Sequence, residues 1–438
     1  MILSPLRGAL LLVLLAGTAQ AGMRAAPVPP PRPAPAISAQ VSTPPKARPA
    51  TRAVSRSSMA DPRPLDPGFA AWREGFRARA RANGISPSTL NAALADLRPL
   101  AHVIEADRSQ SEFTRALWDY LDSAVSETRI RDGRRMLRRH ARLFDVIERR
   151  HGVAREVVAA IWGIESAYGA SRGDEPVIAA LATLAHEGRR RAFFEAQLIA
   201  ALRIVEAGDV SPEGMRGSWA GAMGHTQFIP ASYLAYAVDF DGDGRRDIWG
   251  EDPADALAST AAYLDRFGWR TDQPWGGEVI LPEGFDYRLA VRGIQKSAAE
   301  WAALGVRPAG GGRLADHGPA SILLPAGARG PAFMIFANFG VIERYNSADA
   351  YILAVGLLSD RLAGRGGLRA GWPRGDRPLT AGQKRELQRR LTRAGFSTHG
   401  VDGIVGPDTI AAIRRYQAAH GLTPDGYASA RLLEDLGG

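Results

Sequence analysis

Apolar residues recur at helical spacing through residues 69–213. Trp72, Phe76 and Ala80 follow one another at intervals of four and share one side of a helix. Ser86, followed directly by proline, is typical of a helix start, with serine as the cap and proline in the first turn. The pattern predicts a mainly helical body over this part of the chain.

The pattern changes after residue 267, where short β-rich stretches alternate with Gly and Pro. They lie at 278–281, 287–291, 322–324 and 332–336. This spacing predicts a small antiparallel sheet inserted into the helical body. A last helix, predicted over 347–362, closes the unit. The predicted fold class is therefore mainly α with a small antiparallel β insertion.

The two ends of the chain differ in composition from this body. Residues 1–21 combine a basic start, an apolar run and an A-x-A arrangement, which predicts a signal peptide cleaved near Ala21. Residues 22–67 are rich in Pro, Ala, Ser, Thr and Arg, and we expect an extended tether there. The body then occupies 68–363, a second linker 364–378, and a small domain 379–438. Two Asp-Gly turns predict three helices in this last domain.

Composition and charge exclude several classes of function. The chain of 438 residues has no cysteine, so disulfide scaffolds, thiolate metal sites and cysteine nucleophiles are excluded. Its formal net charge is +9, but residues 1–67 alone hold eight basic and two acidic residues. The rest carries only a small basic excess, and we predict no nucleic-acid binding. No apolar run is long enough for a permanent membrane anchor, so we expect an exported, soluble protein.

One glutamate lies where a carboxylate is costly to ionise. In the predicted helix over 155–168, Glu165 follows Ile161 by four residues and therefore shares its apolar face with Val158. Desolvation raises the pKa of such a carboxyl group, which then stays protonated near neutral pH and can serve as a general acid. The alternative is a glutamate satisfied by a buried arginine or by backbone donors.

A second segment, GSWAGAMGHTQFIP over 217–230, suits neither a helix interior nor a strand. Its small residues allow close approach of the backbone to a ligand, and Ser218, Trp219 and Gln227 offer hydrogen bonds and a stacking face for a glycan. A packed loop is the alternative. His225 lies within the segment and is more typical of a structural role.

Four motifs in order carry a resemblance to a known family. WGIESAYG around Glu165, GSWAGAMGHTQFIPASY from Gly217, VDFDGDGRRDIW from Val238 and RYNSADAY from Arg344 resemble the lytic murein transglycosylase B family of lysozyme-like enzymes, glycoside hydrolase family 103. The resemblance covers about 69–362. It implies cleavage of the β-1,4 bond between N-acetylmuramic acid and N-acetylglucosamine in peptidoglycan, with formation of a 1,6-anhydro end.

The resemblance also implies roles for single residues. Glu165 matches the family's only catalytic acid/base, and Ser218 matches a residue beside it. The residues implied to contact the sugar are Gln227, Tyr263, Tyr345 and Asn346. One glutamate suffices if the attacking hydroxyl belongs to the sugar, because it can then perform both proton transfers without a second carboxylate. No cofactor is expected for this chemistry.

An acidic loop over 239–247 matches the first part of a calcium loop, with oxygen donors at alternate positions and a glycine at the sixth. The twelfth position is glycine, so the closing ligand of that pattern is missing. The family resemblance implies calcium here, against the alternative of a plain Asp-Gly turn. The candidate ligands are Asp239, Asp241, Asp243, Arg245, Asp247 and Asp255.

The last domain resembles the small three-helix peptidoglycan-binding module of wall enzymes, on residues that include Leu387, Gln388 and the run 401–409. A compact spacer without a ligand is the alternative. We therefore predict a monomeric, periplasmic lytic transglycosylase whose partner is the peptidoglycan glycan strand. A hydrolytic muramidase and a non-catalytic wall-binding scaffold remain as alternatives.

Overall fold

The structure, a computed structural model, describes residues 66–109 and 116–437. The predicted signal peptide and nearly all of the predicted tether lie outside the described residues. Within the described part, no helix combines the length and apolar composition needed to cross a bilayer.

Fourteen α-helices form most of the body described here, and the cap residues explain several of their starts. Asp66 caps the first through Gly68 N and Phe69 N, and Ser86 caps the second as predicted, with Thr89 N donating to its Oγ over 3.3 Å. The helices are α1 (Pro67–Ala82), α2 (Pro87–Leu94), α3 (Ala101–Ser109), α4 (Leu117–Ala124), α5 (Glu127–Arg139), α6 (Ala141–His151), α7 (Arg155–Ser166), α8 (Val177–Glu187), α9 (Arg191–Glu206), α10 (Pro230–Tyr236), α11 (Ala254–Arg266), α12 (Ala298–Ala303), α13 (Ala337–Tyr345) and α14 (Asp349–Leu362).

Helix α7 lies at the centre of the main core. Every residue from Val157 to Ser166 is buried, and α5, α6, α11 and α14 pack around it. Gly163 leaves room for the Tyr168 ring, which follows the helix, since a Cβ atom there would lie 2.5 Å from Cζ of Tyr168. The helix ends at Ala167, whose φ of 50° turns the chain away. Glu165 therefore lies on an apolar helix that is surrounded by other helices of the body.

The β structure is small and antiparallel, as predicted. Strands β1 (Glu175–Pro176) and β2 (Arg216–Gly217) pair with each other. A four-stranded sheet follows, with its own apolar core around Trp301. Its strands are β3 (Gly276–Ile280), β4 (Arg307–Pro308), β5 (Ser321–Leu323) and β6 (Ala332–Ile335). They lie in the order β4-β3-β6-β5, with Val279 opposite Ala332 and Ser321 opposite Ile335. The mainly α fold class with a small antiparallel insertion is confirmed.

One predicted strand is wrong. Residues 287–291 do not pair into the sheet; the segment begins with a 3₁₀ turn over Tyr287–Leu289. The Asp286 side chain accepts a hydrogen bond from Arg288 N over 3.0 Å, which stabilises the turn. The β-branched and aromatic content of the stretch was therefore outweighed by local capping.

The C-terminal module has the three predicted helices, α15 (Ala381–Arg393), α16 (Pro407–Ala419) and α17 (Ala430–Asp435). Thr380 and Gln383 form a capping box at the start of α15, and proline occupies the first position of α16. The helices enclose a separate small core around Leu387, Leu391 and Ile413.

The segment 364–378 lies against the body along its course. Arg369 N and Ala370 N donate to the Glu278 carboxylate over 2.8 and 2.7 Å. Arg374 forms a bidentate pair with Asp122, at 2.7 and 2.9 Å. These contacts give the linker a defined path between body and module.

Candidate active site

Glu165 occupies the last turn of α7 and is 4% exposed. Its Oε1 accepts a hydrogen bond from the Tyr351 hydroxyl over 2.7 Å. Burial raises the pKa of Glu165 to about 8, and the Tyr351 hydrogen bond acts in the opposite direction. The carboxyl group is therefore largely protonated at neutral pH, which is the state that a general acid needs.

A cavity of about 180 Å³ opens onto Glu165. Its described lining consists of Glu165, Gln227, Phe228, Ile229, Ser232, Tyr263, Arg344, Tyr345 and Asn346. Glu165 is the one carboxylate in this described lining. The cavity thus offers one proton-transfer group, two neutral amides and several aromatic rings.

The aromatic rings form one continuous packed group. The Tyr345 ring lies 5.1 Å from that of Tyr263 and 5.8 Å from that of Phe228, and it stacks on Tyr351 with an interplanar angle of 2°. Tyr345 donates its hydroxyl hydrogen to Thr226 O over 2.7 Å, and Tyr263 donates to the Arg344 carbonyl over 2.5 Å. Because both hydroxyls are held by backbone carbonyls, these rings are fixed in place as apolar walls.

Gln227 is held in an uncommon backbone conformation, with φ of 56°. Its Nε2 donates to Gly224 O and to Arg172 O, each over 2.9 Å. Both amide hydrogens are thereby used within the protein, which leaves Oε1 as the acceptor for a ligand hydroxyl or amide.

The structure brings together only part of the predicted site. Gln227, Tyr263, Tyr345 and Asn346 line the cavity with Glu165. Ser218 lies outside this lining, and its Oγ accepts a hydrogen bond from Ala222 N over 3.0 Å within the loop. Trp219 also lies outside it and packs against the main core. The sugar contacts predicted for these two residues stay predictions.

Two residues near the carboxyl group were missed by sequence reasoning. Tyr351 belongs to the motif around Tyr345 but was not singled out; its buried position in an apolar helix was a signal, because a buried tyrosine hydroxyl needs a partner. Burial raises the pKa of Tyr120, on α4, and the nearby Glu165 charge adds to this shift. The spacing of the sequence offers no comparable signal for Tyr120.

His225 connects this site to the acidic loop, in the structural role that the sequence favoured. Its Nδ1 accepts a hydrogen bond from Trp162 Nε1 over 3.1 Å, and its Nε2 lies 2.8 Å from Gly250 O. A ring that accepts at Nδ1 must carry its proton at Nε2, so it is neutral and donates to Gly250. Burial lowers the pKa of His225, in agreement with this state.

The acidic loop gathers three of its predicted ligands. Carboxylate oxygens of Asp239, Asp241 and Asp243 lie within 4.8 Å of one another. Asp255 is not part of this group, and its two oxygens accept hydrogen bonds from Phe240 N over 2.8 Å and Asp247 N over 2.7 Å. Three converging carboxylates have the chemistry that a hard divalent cation prefers.

The Asp247 side chain also accepts hydrogen bonds from the protein backbone. Its Oδ1 accepts hydrogen bonds from Trp249 N and Gly250 N, over 2.8 and 2.9 Å. The acidic loop is thus followed directly by a capped turn that ends at the Gly250 carbonyl facing His225.

Comparison with known proteins agrees with this fold. Residues 68–360 match the transglycosylase SLT domain, and residues 381–436 match the putative peptidoglycan binding domain. The chain therefore belongs to the lytic murein transglycosylase B family, and it carries a C-terminal domain of the peptidoglycan-binding type.

Particular relatives show how far the similarity extends. The chain is 36% identical over 220 residues to the membrane-bound lytic murein transglycosylase B of Escherichia coli K12, a match over 49% of this chain and 58% of that protein. SltB3 of Pseudomonas aeruginosa, solved with NAG-anhNAM-pentapeptide, is 50% identical with a TM-score of 0.82, covering 85% of this chain and 100% of that one.

More distant structures match about two thirds of the chain. The soluble lytic transglycosylase SltB1 of Pseudomonas aeruginosa has a TM-score of 0.60 at 30% identity, over 67% of this chain and 98% of its own. The Escherichia coli lytic transglycosylase Slt35, solved in complex with calcium, has a TM-score of 0.56 at 28% identity, over 68% and 93%.

Proposed function

We propose that this protein is a lytic transglycosylase that cleaves the β-1,4 bond between N-acetylmuramic acid and N-acetylglucosamine in peptidoglycan. The observation that carries the proposal is Glu165, a buried carboxyl group with a pKa of about 8 that opens onto a cavity with no second carboxylate in its described lining. Membership of the transglycosylase family supports the same reaction.

The reaction consists of two proton transfers through one group. Protonated Glu165 donates its proton to the glycosidic oxygen as the bond to C1 of the muramoyl residue breaks. The C6 hydroxyl oxygen of the same residue then bonds to C1, and ionised Glu165 takes the hydroxyl proton. The products are a free 4-hydroxyl on one side and a 1,6-anhydro ring on the other, and no water is consumed.

The positive charge that develops between these steps is met by the substrate and by the groups around the cavity. Positive charge at C1 and the ring oxygen is opposed by the substrate's own N-acetyl oxygen and by the Glu165 carboxylate. The amide groups of Gln227 and Asn346 border the same cavity and orient the sugar. Tyr345 and Tyr263 supply the apolar faces on which sugar rings pack.

Digestion of purified sacculi tests the reaction. We expect soluble products lighter by one water than the corresponding reducing ends, as measured by mass spectrometry. Products of reducing-end mass would establish a hydrolytic muramidase instead. Glu165→Gln should abolish release, whereas Glu156→Gln, at the start of the same helix, should retain it. Release by Glu165→Gln at the parental rate would exclude Glu165 as the acid.

The remaining parts of the chain fit export and retention at the wall. We propose that residues 1–21 direct export to the periplasm, that the protein acts there as a monomer, and that the C-terminal module holds it on peptidoglycan. The match of residues 381–436 to the peptidoglycan binding domain supports the last of these.

We also propose that the acidic loop binds calcium as a structural ion. Asp239, Asp241 and Asp243 would hold it with their carboxylates, and the Arg245 carbonyl occupies the position that supplies a backbone oxygen in such loops. The ion would offset two of the three adjacent negative charges and fix the turn that ends at Gly250. The calcium complex of Slt35 supports this assignment.

A further inference from the structure

The C-terminal module contains the same small structure twice. In each copy an arginine and a glutamine lie three residues apart on one helix, and an Asp-Gly turn precedes the next helix by five residues. The first turn site is made of Arg385, Gln388, Asp402, Gly403 and Ile404, and the second of Arg414, Gln417, Asp425, Gly426 and Tyr427.

Hydrogen bonds repeat from the first site to the second. In the first, Gln388 Nε2 donates to Asp402 Oδ1 over 2.8 Å, and Gly403 N donates to Gln388 Oε1 over 2.8 Å. Ile404 N donates to Asp402 Oδ1, also over 2.8 Å. The glutamine thus holds the turn through both of its amide atoms.

Corresponding bonds hold the second site. Gln417 Nε2 donates to Asp425 Oδ1 over 2.7 Å, Gly426 N to Gln417 Oε1 over 2.9 Å, and Tyr427 N to Asp425 Oδ1 over 2.9 Å. The arginines repeat as well. A Cβ atom on Gly403 would lie 3.4 Å from Arg385 Nε, and one on Gly426 would lie 2.9 Å from Arg414 Nε.

The second turn site is occupied by the body of this same chain. Ala328 N donates to Asp425 Oδ2 over 2.9 Å, the oxygen that the turn itself leaves free. Gly327 sits so close that a Cβ atom there would lie 2.6 Å from this oxygen. Tyr427 packs against Trp118 and Ala326. The occupant is therefore a backbone amide in a segment of very small residues, with apolar surface beside it.

The first turn site presents the same groups to solvent. Asp402 Oδ2 accepts no hydrogen bond from any other described residue. Ile404 stands at the position of Tyr427 and is 66% exposed, the largest value among the exposed large apolar residues described. Arg385 is exposed across the turn. An acceptor, an apolar side chain and a cation are thus displayed together at one exposed turn, where the Asp402 and Arg385 charges also attract each other.

We propose that the first turn site binds the stem peptide of peptidoglycan through a backbone amide next to an alanine. This inference rests on the proposed function and specifies which part of the wall polymer the module recognises. Asp402 Oδ2 accepts the peptide N–H as Asp425 accepts that of Ala328, and Ile404 contacts the alanine methyl group. Arg385 pairs with a carboxylate of the peptide. Stem peptides carry such a carboxylate, whereas an N-acetylated glycan strand with amidated lactyl groups does not.

The test is a calorimetric titration of the full-length protein with a peptidoglycan pentapeptide that carries no sugar. Asp402→Asn retains an oxygen for Gln388 and Ile404 N but removes the charge, and we expect binding to weaken about tenfold. Ile404→Ser changes an exposed side chain that folding does not need, and should weaken binding several-fold. Leu422→Ser, at 37% exposure in the same module, is the matched control and should bind as the parent does.

Several outcomes would overturn the proposal. One is that the parent protein does not bind the pentapeptide. Another is that the parent, Asp402→Asn and Ile404→Ser bind it equally. A third is that glycan strands stripped of peptides bind, and that this binding depends on Ile404. None of these affects the anhydro products expected from sacculi. Failure of the peptide site is therefore distinguishable from failure of the proposed reaction.

Discussion

The Tyr351 hydroxyl donates a hydrogen bond to Oε1 of Glu165 across 2.7 Å, although the two residues are 186 positions apart. The bond fixes one carboxyl oxygen and leaves the other to carry the proton toward the cavity. It also stabilises the ionised form and so limits how far burial can raise the pKa of Glu165. Tyr351 is thus a positioning residue for the proposed acid.

Loss of this hydroxyl should move the alkaline limit of activity. In Tyr351→Phe the ionised form of Glu165 loses a donor, so the pKa of Glu165 rises and the alkaline limb of the kcat/KM profile shifts upward by about one pH unit. Tyr233→Phe is the control, because the Tyr233 hydroxyl bonds to Arg246 O instead. An unchanged limb in Tyr351→Phe would contradict the positioning role.

Burial of Glu165 should cost stability in a way that depends on pH. Its pKa rises from 4.5 in the reference state to about 8 in the folded protein. The contribution of the protonated group to stability is therefore complete below pH 4.5 and is lost as the pH rises to 8. Glu165→Gln does not titrate, and its stability relative to the parent should improve by about 4 kcal/mol between pH 4 and pH 8.

Thermal or denaturant unfolding at the two pH values measures this difference. Glu156→Gln, in the partly exposed first turn of α7, should show no comparable gain. A Glu165→Gln variant with the same stability relative to the parent at both pH values would argue against a buried, protonated carboxyl group.

The packing of α7 should be sensitive to a single methyl group. Gly163→Ala places a Cβ atom 2.5 Å from Tyr168 Cζ, and we expect a loss of about 1–3 kcal/mol in the free energy of unfolding. Gly340→Ala, in α13, meets no atom within 4 Å and should gain up to about 1 kcal/mol from helix propensity. Equal effects of the two changes, measured by urea unfolding, would refute the close contact.

Calcium should stabilise the protein through the acidic loop. At a concentration 100 times its dissociation constant, the ion would add about 2.7 kcal/mol to the free energy of unfolding. Asp241→Asn should remove most of the thermal shift between calcium and chelator, whereas Asp316→Asn, outside the loop, should keep it. A shift that persists in Asp241→Asn would place the ion elsewhere.

The sequence was most informative where the structure is local. The Ser86 cap, the apolar helix around Glu165 and the turns at Asp402 and Asp425 follow from hydrogen bonds and side-chain periodicity within a few residues. It failed at 287–291, where β propensity suggested a strand and a cap from Asp286 stabilised a 3₁₀ turn. The strands that were predicted correctly are those that pair with a neighbouring strand in the four-stranded sheet.

The sequence by itself determined the helical body, the acidic residue in its apolar helix and the Asp-Gly turns. Only the tertiary structure decided which groups surround Glu165, because Gln227, Tyr263, Tyr345 and Tyr351 come from distant segments that packing brings together. The pKa of Glu165 is set by desolvation and by a hydrogen bond, and both depend on those neighbours. The two turn sites likewise share one local sequence pattern. The second is occupied and the first is exposed, because the described part of the folded body places a backbone amide against the second only.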